Sequence, residues 1–247
     1  MEKVLHQDLK DLEKKSAEEL IAWAVKTYKD KVALASSYGA EDVVLADMLF
    51  EVVGDLKKSG ELDGDFKPRI FTLDTGRLPQ ETYDVMDEVT KKYGTPPEVY
   101  FPDASSVEKM VSEHGFNLFY KSADLRKLCC NVRKVEPLKR AFKGLDAWIC
   151  GLRREQSVTR VALNKVEIEK RDGREVVKVN PLADWKESDV WEYIKKHNVP
   201  YNALHDRGYP SIGCAPCTRA VKRTEDFRAG RWWWESPDKK ECGLHTR

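Results

Sequence analysis

Three short apolar runs each break off into a loop of small or charged residues and then pass into a helical pattern. Val32-Ala33-Leu34-Ala35 ends in Ser36-Ser37-Tyr38-Gly39, ahead of a helix-like stretch from Glu41 to about Val52. Ile70-Phe71-Thr72-Leu73 runs into Asp74-Thr75-Gly76-Arg77 and a helix opened by Pro79, a residue suited to a first helical turn. Ala147-Trp148-Ile149-Cys150 gives way to Gly151-Leu152-Arg153-Arg154. Strands alternating with helices predict βαβ units, so the fold class is α/β: a mainly parallel sheet flanked by helices, with ligands at the carboxyl ends of the strands. All three loops lie at such ends. A length of 247 residues suits one such domain and leaves room for two small ones.

The remaining segments fit around this frame. Leu9, Leu12, Leu20, Ile21, Ala24 and Val25 recur at helical spacing and predict one or two helices before the first strand. Gly54 to Pro68 is polar and glycine-rich and reads as a surface loop. Val166 to Val179 alternates around Asp172-Gly173 as a β-hairpin would. Asp184 to His197 reads as a helix with Val190, Trp191 and Ile194 on its inner face. The N-terminal stretch has no signal-like apolar run, and nothing in the chain approaches the eighteen or so apolar residues of a spanning helix, so a soluble, cytoplasmic protein without membrane contact is expected.

Charge is nearly balanced overall, at 43 basic against 42 acidic side chains, but unevenly spread. Residues 1–120 carry 15 Lys or Arg against 24 Asp or Glu, residues 121–160 carry 11 against 4, and residues 214–247 carry 8 against 5. The six cysteines all fall in the two basic stretches, where an anionic ligand would be attracted. Without a secretory signal, these cysteines read as metal-binding or catalytic thiols.

Cys129-Cys130 and the later Cys214-Ala215-Pro216-Cys217 supply four thiolates, the number required by a 4Fe-4S cluster or a structural zinc. Adjacent cysteines on one centre are unusual because neighbouring side chains diverge, which argues against a zinc ribbon built from two CxxC knuckles. A redox CxxC would need only one pair, and a vicinal disulfide is disfavoured in a reducing compartment. Cys150, within an apolar run, reads as a buried small residue. Cys242 stands in a C-terminal tail over residues 228–247, where chain ends are commonly mobile. A thiol there needs neighbouring positive charge to become thiolate, and His245, Arg228 and Arg231 are candidates. At the strand ends, Ser36, Ser37 and Gly39 offer hydroxyl and N–H donors at a helix N-terminus for phosphate or sulfate. Leu73, Asp74, Thr75 and Gly76 could meet a nucleoside or cap the next helix. Arg153 and Arg154 could fork onto phosphate or pair with acids such as Glu155.

Seven blocks carry a wider likeness: SSYGAEDVVL from Ser36, FTLDTGRLPQETY from Phe71, KLCCNVRKVEPLKRA from Lys127, GLRREQS from Gly151, YPSIGCAPCTRAV from Tyr209, RAGRWWWE from Arg228 and ECGLH from Glu241. Together they resemble the phosphoadenylyl-sulfate and adenylyl-sulfate reductase family, in its assimilatory, 4Fe-4S-containing branch. The resemblance implies a fold related to the nucleotide-binding domain of ATP pyrophosphatases, with the Ser36–Gly39 loop facing the phosphosulfate. It implies a 4Fe-4S cluster on Cys129, Cys130, Cys214 and Cys217, with Lys134 between cluster and substrate. Arg154, Arg228 and Arg231 would hold substrate oxygens, and His245 would stand beside the nucleophile Cys242. The implied reaction is reduction of adenosine 5′-phosphosulfate to sulfite and AMP through an S-sulfocysteine, with thioredoxin or glutaredoxin as thiol donor, in sulfate assimilation and cysteine biosynthesis. Oligomeric state is open. Two other readings set against it are an ATP pyrophosphatase-like adenylating enzyme, whose Ser-Gly-Gly-rich loop is missing here, and a metal-binding nucleic-acid module using Trp232-Trp233-Trp234. A nucleic-acid partner is not expected.

Overall fold

The computed structural model describes residues 6–156, 160–171, 173–222 and 224–236. Two helices precede the first strand, α1 (His6–Leu12) and α2 (Ala17–Tyr28). Ser16 and Glu19 form a capping box at the start of α2: the Ser16 hydroxyl accepts the Glu19 N–H, and the Glu19 carboxylate accepts the Ser16 N–H. The periodic Leu20, Ile21, Ala24 and Val25 are all buried, as expected.

β1 (Val32–Ala35) is hydrogen-bonded on both sides. It runs parallel to β2 (Arg69–Leu73), with Leu34 opposite Ile70, and parallel to β4 (Ala147–Ile149), with Leu34 opposite Ile149. β3 (Glu98–Tyr100) lies beyond β2, while β6 (Arg174–Val179) pairs in parallel with β4. β5 (Val166–Arg171) closes the order β3-β2-β1-β4-β6-β5 as the antiparallel partner of β6, which is the expected hairpin, with Gly173 at φ 76°. Successive strands leave β1 first to one side and then to the other, so the sheet reverses its winding between β1 and β4. The carboxyl ends of these two strands mark the switch point where open α/β sheets take ligands.

α3 (Ala40–Lys58) follows β1 and packs on α2 and on α8 (Glu187–Lys196). It runs six residues past the expected end at Val52, because Val53 and Leu56 continue its buried face. Gly54 to Lys58 are therefore helical, and the polar excursion starts at Ser59 rather than Gly54. In α8, Val190 and Ile194 point inward as predicted; Tyr193 joins them, and Trp191 is only half-buried, edge-on to Tyr201. No described helix is long and apolar enough to cross a membrane.

The chain divides into two compact units that alternate along the sequence. Unit 1 comprises residues 1–71, 88–98 and 144–201, and unit 2 comprises 72–87, 99–143 and 202–247. Helix α4 (Gln80–Tyr93) passes from one to the other, starting just after Pro79. Unit 2 contains α5 (Ala104–His114), α6 (Ala123–Cys130) and α7 (Glu136–Ala141). Between α6 and α7 the helix widens into a π turn over Asn131–Val135. Its cause is local: Pro137 has no N–H to give the Arg133 carbonyl, and its ring would collide with that carbonyl in a regular α-helix. Widening the preceding turn relieves the collision.

Since β1 is paired on both flanks and Leu34 is 1 % exposed, Leu34→Ala should cost about 2–5 kcal/mol. Urea unfolding checks this, and a loss below about 1 kcal/mol would show that β1 is not the centre of the core.

Candidate functional site

The loop after β1, in unit 1, is held by its own polar groups. Ser36 N–H donates to the Phe71 carbonyl at 2.9 Å, and Ser36 Oγ accepts the Tyr38 N–H at 3.2 Å. Tyr38 sits at φ 58°, a left-handed conformation strained for a bulky side chain, and is 2 % exposed, so its surroundings hold it there. The Gly39 carbonyl accepts the Asp42 and Val43 N–H groups at the start of α3. Ser37 gives both its N–H and its hydroxyl to Asp42 Oδ2, at 2.6 and 2.7 Å. Asp42 also receives the Gly151 N–H from the loop after β4. A Cβ at Gly151 would fall 2.6 Å from Asp42 Oδ1 and 2.8 Å from Glu41 Cβ, so only glycine permits this approach. One buried carboxylate thus ties together the two loops at the switch point. Burial pushes its pKa up to about 6, the Ser37 bonds pull it back, and the neighbouring Glu41 charge adds to the rise.

The arginines of the β4 loop are already engaged. Arg153, 1 % exposed, donates to Glu41 at 2.8 Å and Glu155 at 2.9 Å, which is the acid pairing weighed from the sequence. Arg154, expected on substrate oxygens, donates through Nε to the Leu163 carbonyl at 2.8 Å and reaches Glu13 at 3.3 Å. Cys150 is buried and donates to Asn180 Oδ1 at 2.9 Å, the structural role expected of it.

In unit 2, the loop after β2 turns toward the cysteines. Leu73 ends the strand, and Asp74 Oδ1 accepts the Gly76 N–H at 2.7 Å and the Tyr83 hydroxyl at 3.0 Å. Thr75 Oγ1 lies 3.2 Å from Cys214 Sγ, and the Thr75 carbonyl accepts Arg133 Nη1 at 2.7 Å. Cys129 and Cys130 close α6 immediately before the π turn. Cys214 and Cys217 bracket a short 3-10 turn over Ala215–Cys217, and the Ala215 N–H donates to the Arg77 carbonyl at 2.8 Å. All four are free thiols packed in one apolar cluster with Met110, Leu118, Phe119 and Trp232.

Four guanidiniums surround these sulfurs. Burial raises the Cys129 thiol while Arg133 and Arg77 oppose the rise. Burial, together with the Cys214 charge, pushes Cys217 up to about 12, against Arg231 and Arg77. Arg126 hydrogen-bonds Cys130. The Nε atoms of Arg133 and Arg231 are buried donors with no hydrogen-bond partner among the described residues, a lack expected where an acceptor-rich group binds. A tetrahedral zinc–thiolate centre, at about 2.3 Å per bond, brings its sulfurs to about 3.8 Å of one another. Among the described residues, no three of these sulfurs lie within 4.8 Å of one another. The site therefore offers four clustered thiols and stationary positive charge.

Lys134 lies in the π turn, half-buried, with neither an ion pair nor a hydrogen bond among the described residues. Arg231 donates to the Ile212 carbonyl at 3.0 Å, and Gly213 is the residue that leaves room for its guanidinium. The Arg228 N–H caps onto Asp226. Trp232 is buried, with the Arg126 and Arg231 guanidiniums 4.5 and 5.1 Å from its ring centre, and Trp234 donates to the Phe119 carbonyl. Trp232 is thus interior, Trp234 half-buried and Trp233 exposed, so the three rings do not form one open stacking surface for bases. Cys242 and His245 lie outside the described residues. Asp42, Arg77, Arg126 and Arg133 were not singled out from sequence, although the excess of positive charge over residues 121–160 contains the last two.

A family model described as the phosphoadenosine phosphosulfate reductase domain matches residues 31–220. The chain belongs to this family. The matched span takes in all three strand-end loops and all four clustered cysteines. Among relatives of this reductase family, the adenosine 5′-phosphosulfate reductase of Allochromatium vinosum is 51 % identical over 218 residues, covering 88 % of this chain and 80 % of the relative. That of Burkholderia cepacia is 52 % identical, covering 87 % of this chain and 81 % of the relative. A crystal structure of phosphoadenylyl-sulfate reductase from Candida auris, a phosphate complex, superposes with a TM-score of 0.69 at 29 % identity, covering 88 % of this chain and 98 % of that one. FMN adenylyltransferase of Candida glabrata, at 15 % identity and a TM-score of 0.58 over 89 % of this chain and 69 % of that one, shares the fold alone.

Because Asp42 holds its proton more tightly when folded than the ordinary 3.8, the folded state binds more protons between about pH 4 and pH 6, and stability falls as pH rises through that window. A shift of this size corresponds to roughly 3 kcal/mol. Asp42→Asn should flatten the urea-midpoint profile across that range relative to the parent protein. Identical slopes in the two proteins would remove Asp42 as the titrating group.

Proposed function

We propose that the chain reduces adenosine 5′-phosphosulfate to sulfite and AMP, with Cys242 as nucleophile and a thioredoxin- or glutaredoxin-class dithiol as electron donor. The observation that carries the reading is the convergence of Cys129, Cys130, Cys214 and Cys217 among four guanidiniums, with Lys134 left free of ion pairs among the described residues. These four residues would hold a 4Fe-4S cluster, which supplies a fixed charge and shapes the local field. All five described cysteines are free thiols, which suits the reducing cytoplasm where we place the reaction.

The chain's own residues divide the work. Ser36, Ser37 and Gly39 would face the phosphosulfate at the switch point, and Leu73 to Gly76 would take the nucleoside. Lys134, Arg228 and Arg231 would meet the negative charge that grows on the bridging oxygen and sulfuryl group, each well-placed donor lowering the barrier by about 3 kcal/mol. Arg154 is bound to Leu163 and Glu13 and would have to exchange those partners to reach a substrate. The Cys242 thiolate attacks the sulfuryl sulfur, the sulfur–oxygen bond to AMP breaks, and AMP leaves with the electron pair. A donor thiolate then attacks the Cys242 sulfur of the S-sulfocysteine. The sulfur–sulfur bond breaks and sulfite departs with its electrons. The donor's second thiol resolves the mixed disulfide and returns the Cys242 thiolate. One dithiol is oxidised for each sulfite formed, so both electrons come from thiols. His245, three residues from Cys242, would favour the thiolate.

Anaerobically purified protein supplied with reduced thioredoxin should release sulfite rapidly from adenosine 5′-phosphosulfate and far more slowly from its 3′-phosphorylated form, and it should contain about four irons per chain. Cys242→Ser should abolish sulfite release with iron retained, whereas Cys130→Ser should lose the iron. Normal sulfite release by Cys242→Ser would end the covalent scheme. Activity restricted to the 3′-phosphorylated substrate would reassign the specificity.

A further inference from the structure

Arg126, in α6, is the least exposed cation described in unit 2, at 1 %. Its Nε and Nη2 donate to the two oxygens of Glu235 at 3.0 and 2.9 Å, a forked pair whose carboxylate side chain is itself only 5 % exposed. The same guanidinium covers the Trp232 ring and hydrogen-bonds the sulfur of Cys130, four residues along the helix and on the same face. Trp232 N–H in turn donates to the Cys217 carbonyl at 3.2 Å. A single buried cation therefore touches one of the clustered cysteines and the segment leading to Cys242.

Stability is a weak account of such a pair, because desolvating two charges cancels most of their attraction. Glu235 stands seven positions before Cys242, a stretch that spans at most about 25 Å, so wherever Glu235 is fixed bounds where the Cys242 thiol can go. We infer that Arg126 is a positioning residue that clamps Glu235 and so fixes the point from which the Cys242 segment departs, while the same guanidinium serves as counter-charge to the Cys130 sulfur. The inference rests on the reading of Cys242 as nucleophile. The two duties separate by substitution: loss of the Glu235 carboxylate frees the departure point and leaves the Cys130 counter-charge in place, and loss of the Arg126 charge removes both.

The test is single-turnover sulfonation of Cys242 by adenosine 5′-phosphosulfate without a thiol donor, followed by intact-protein mass spectrometry, with iron content, visible absorbance and thermal midpoint measured on each sample. The parent protein gains one sulfonate. Glu235→Gln should slow that step by about a hundredfold, the penalty typical of a small misplacement, with iron and absorbance unchanged. Arg126→Lys, which keeps the charge but not the fork, should slow it similarly and also keep the iron. Arg126→Met should lose iron as well. The charge-swapped double variant Arg126→Glu/Glu235→Arg should regain thermal midpoint without regaining iron, since it sets a carboxylate on Cys130. Sulfonation of Glu235→Gln at the parent rate, or full recovery of iron and rate by the swap, would reduce the pair to an ordinary buried ion pair and overturn the inference. A parent protein that takes no sulfonate would overturn the proposed function, and the inference with it.

Discussion

Because β1 is four residues long and hydrogen-bonded along both edges, its backbone groups are committed to β2 and β4, and its side chains must be small or apolar enough to be covered on both faces. Val32, Ala33 and Leu34 meet that demand at 1–4 % exposure. The strand cannot lengthen without carrying Ser36 into the ladder, so the chain turns there, and the turn is where polar donors first become available. Asp42 exploits this by reaching back from the first turn of α3 to the Ser37 donors. It reaches across to Gly151 as well, where no side chain stands in the way. Anchoring on one carboxylate gives the switch-point loops a fixed relationship that their sequences alone do not impose.

Unit 2 solves a different electrostatic problem. Burial in an apolar cluster raises the Cys129 and Cys217 thiols, whereas a metal-bound cysteine is a thiolate. The fold supplies the compensation in advance through Arg77, Arg126, Arg133 and Arg231. Each guanidinium is itself held by carbonyls or carboxylates of unit 2, as Arg77 is by the Phe116 carbonyl and Arg133 by the Thr75 carbonyl. Positive charge is thereby stationed beside the sulfurs, where the proposed cluster would need it.

The sequence was most legible where period and residue type coincide. The three apolar runs gave three adjacent or near-adjacent parallel strands, the Asp172-Gly173 alternation gave the β5–β6 hairpin, and the paired cysteines converged. It was least legible where a residue acts on a distant partner. Asp42 looked like any acidic residue of a helical first turn, because its significance depends on Gly151, more than a hundred positions away. Gly54 misled, since a glycine can lie inside a helix when Val53 and Leu56 bury their side chains beside it. Pro137 was visible in the sequence, and its conflict with the Arg133 carbonyl was the clue to the π turn beside the two adjacent cysteines. The alternation of the two units along the chain left no mark in composition.

That alternation has a consequence for biosynthesis. Unit 2 is assembled from three separated stretches, and its cysteines are contributed by the second and the third. Cys129 and Cys130 emerge from the ribosome 84 positions before Cys214, a delay of roughly 4–17 s at ordinary synthesis rates. During that interval the two exposed thiols have half a binding site and no Arg231 beside them. An oxidant that meets the nascent chain in that interval meets two thiols without the later segment that packs around them, and slower translation between residues 130 and 214 would lengthen that exposure without altering a single side chain.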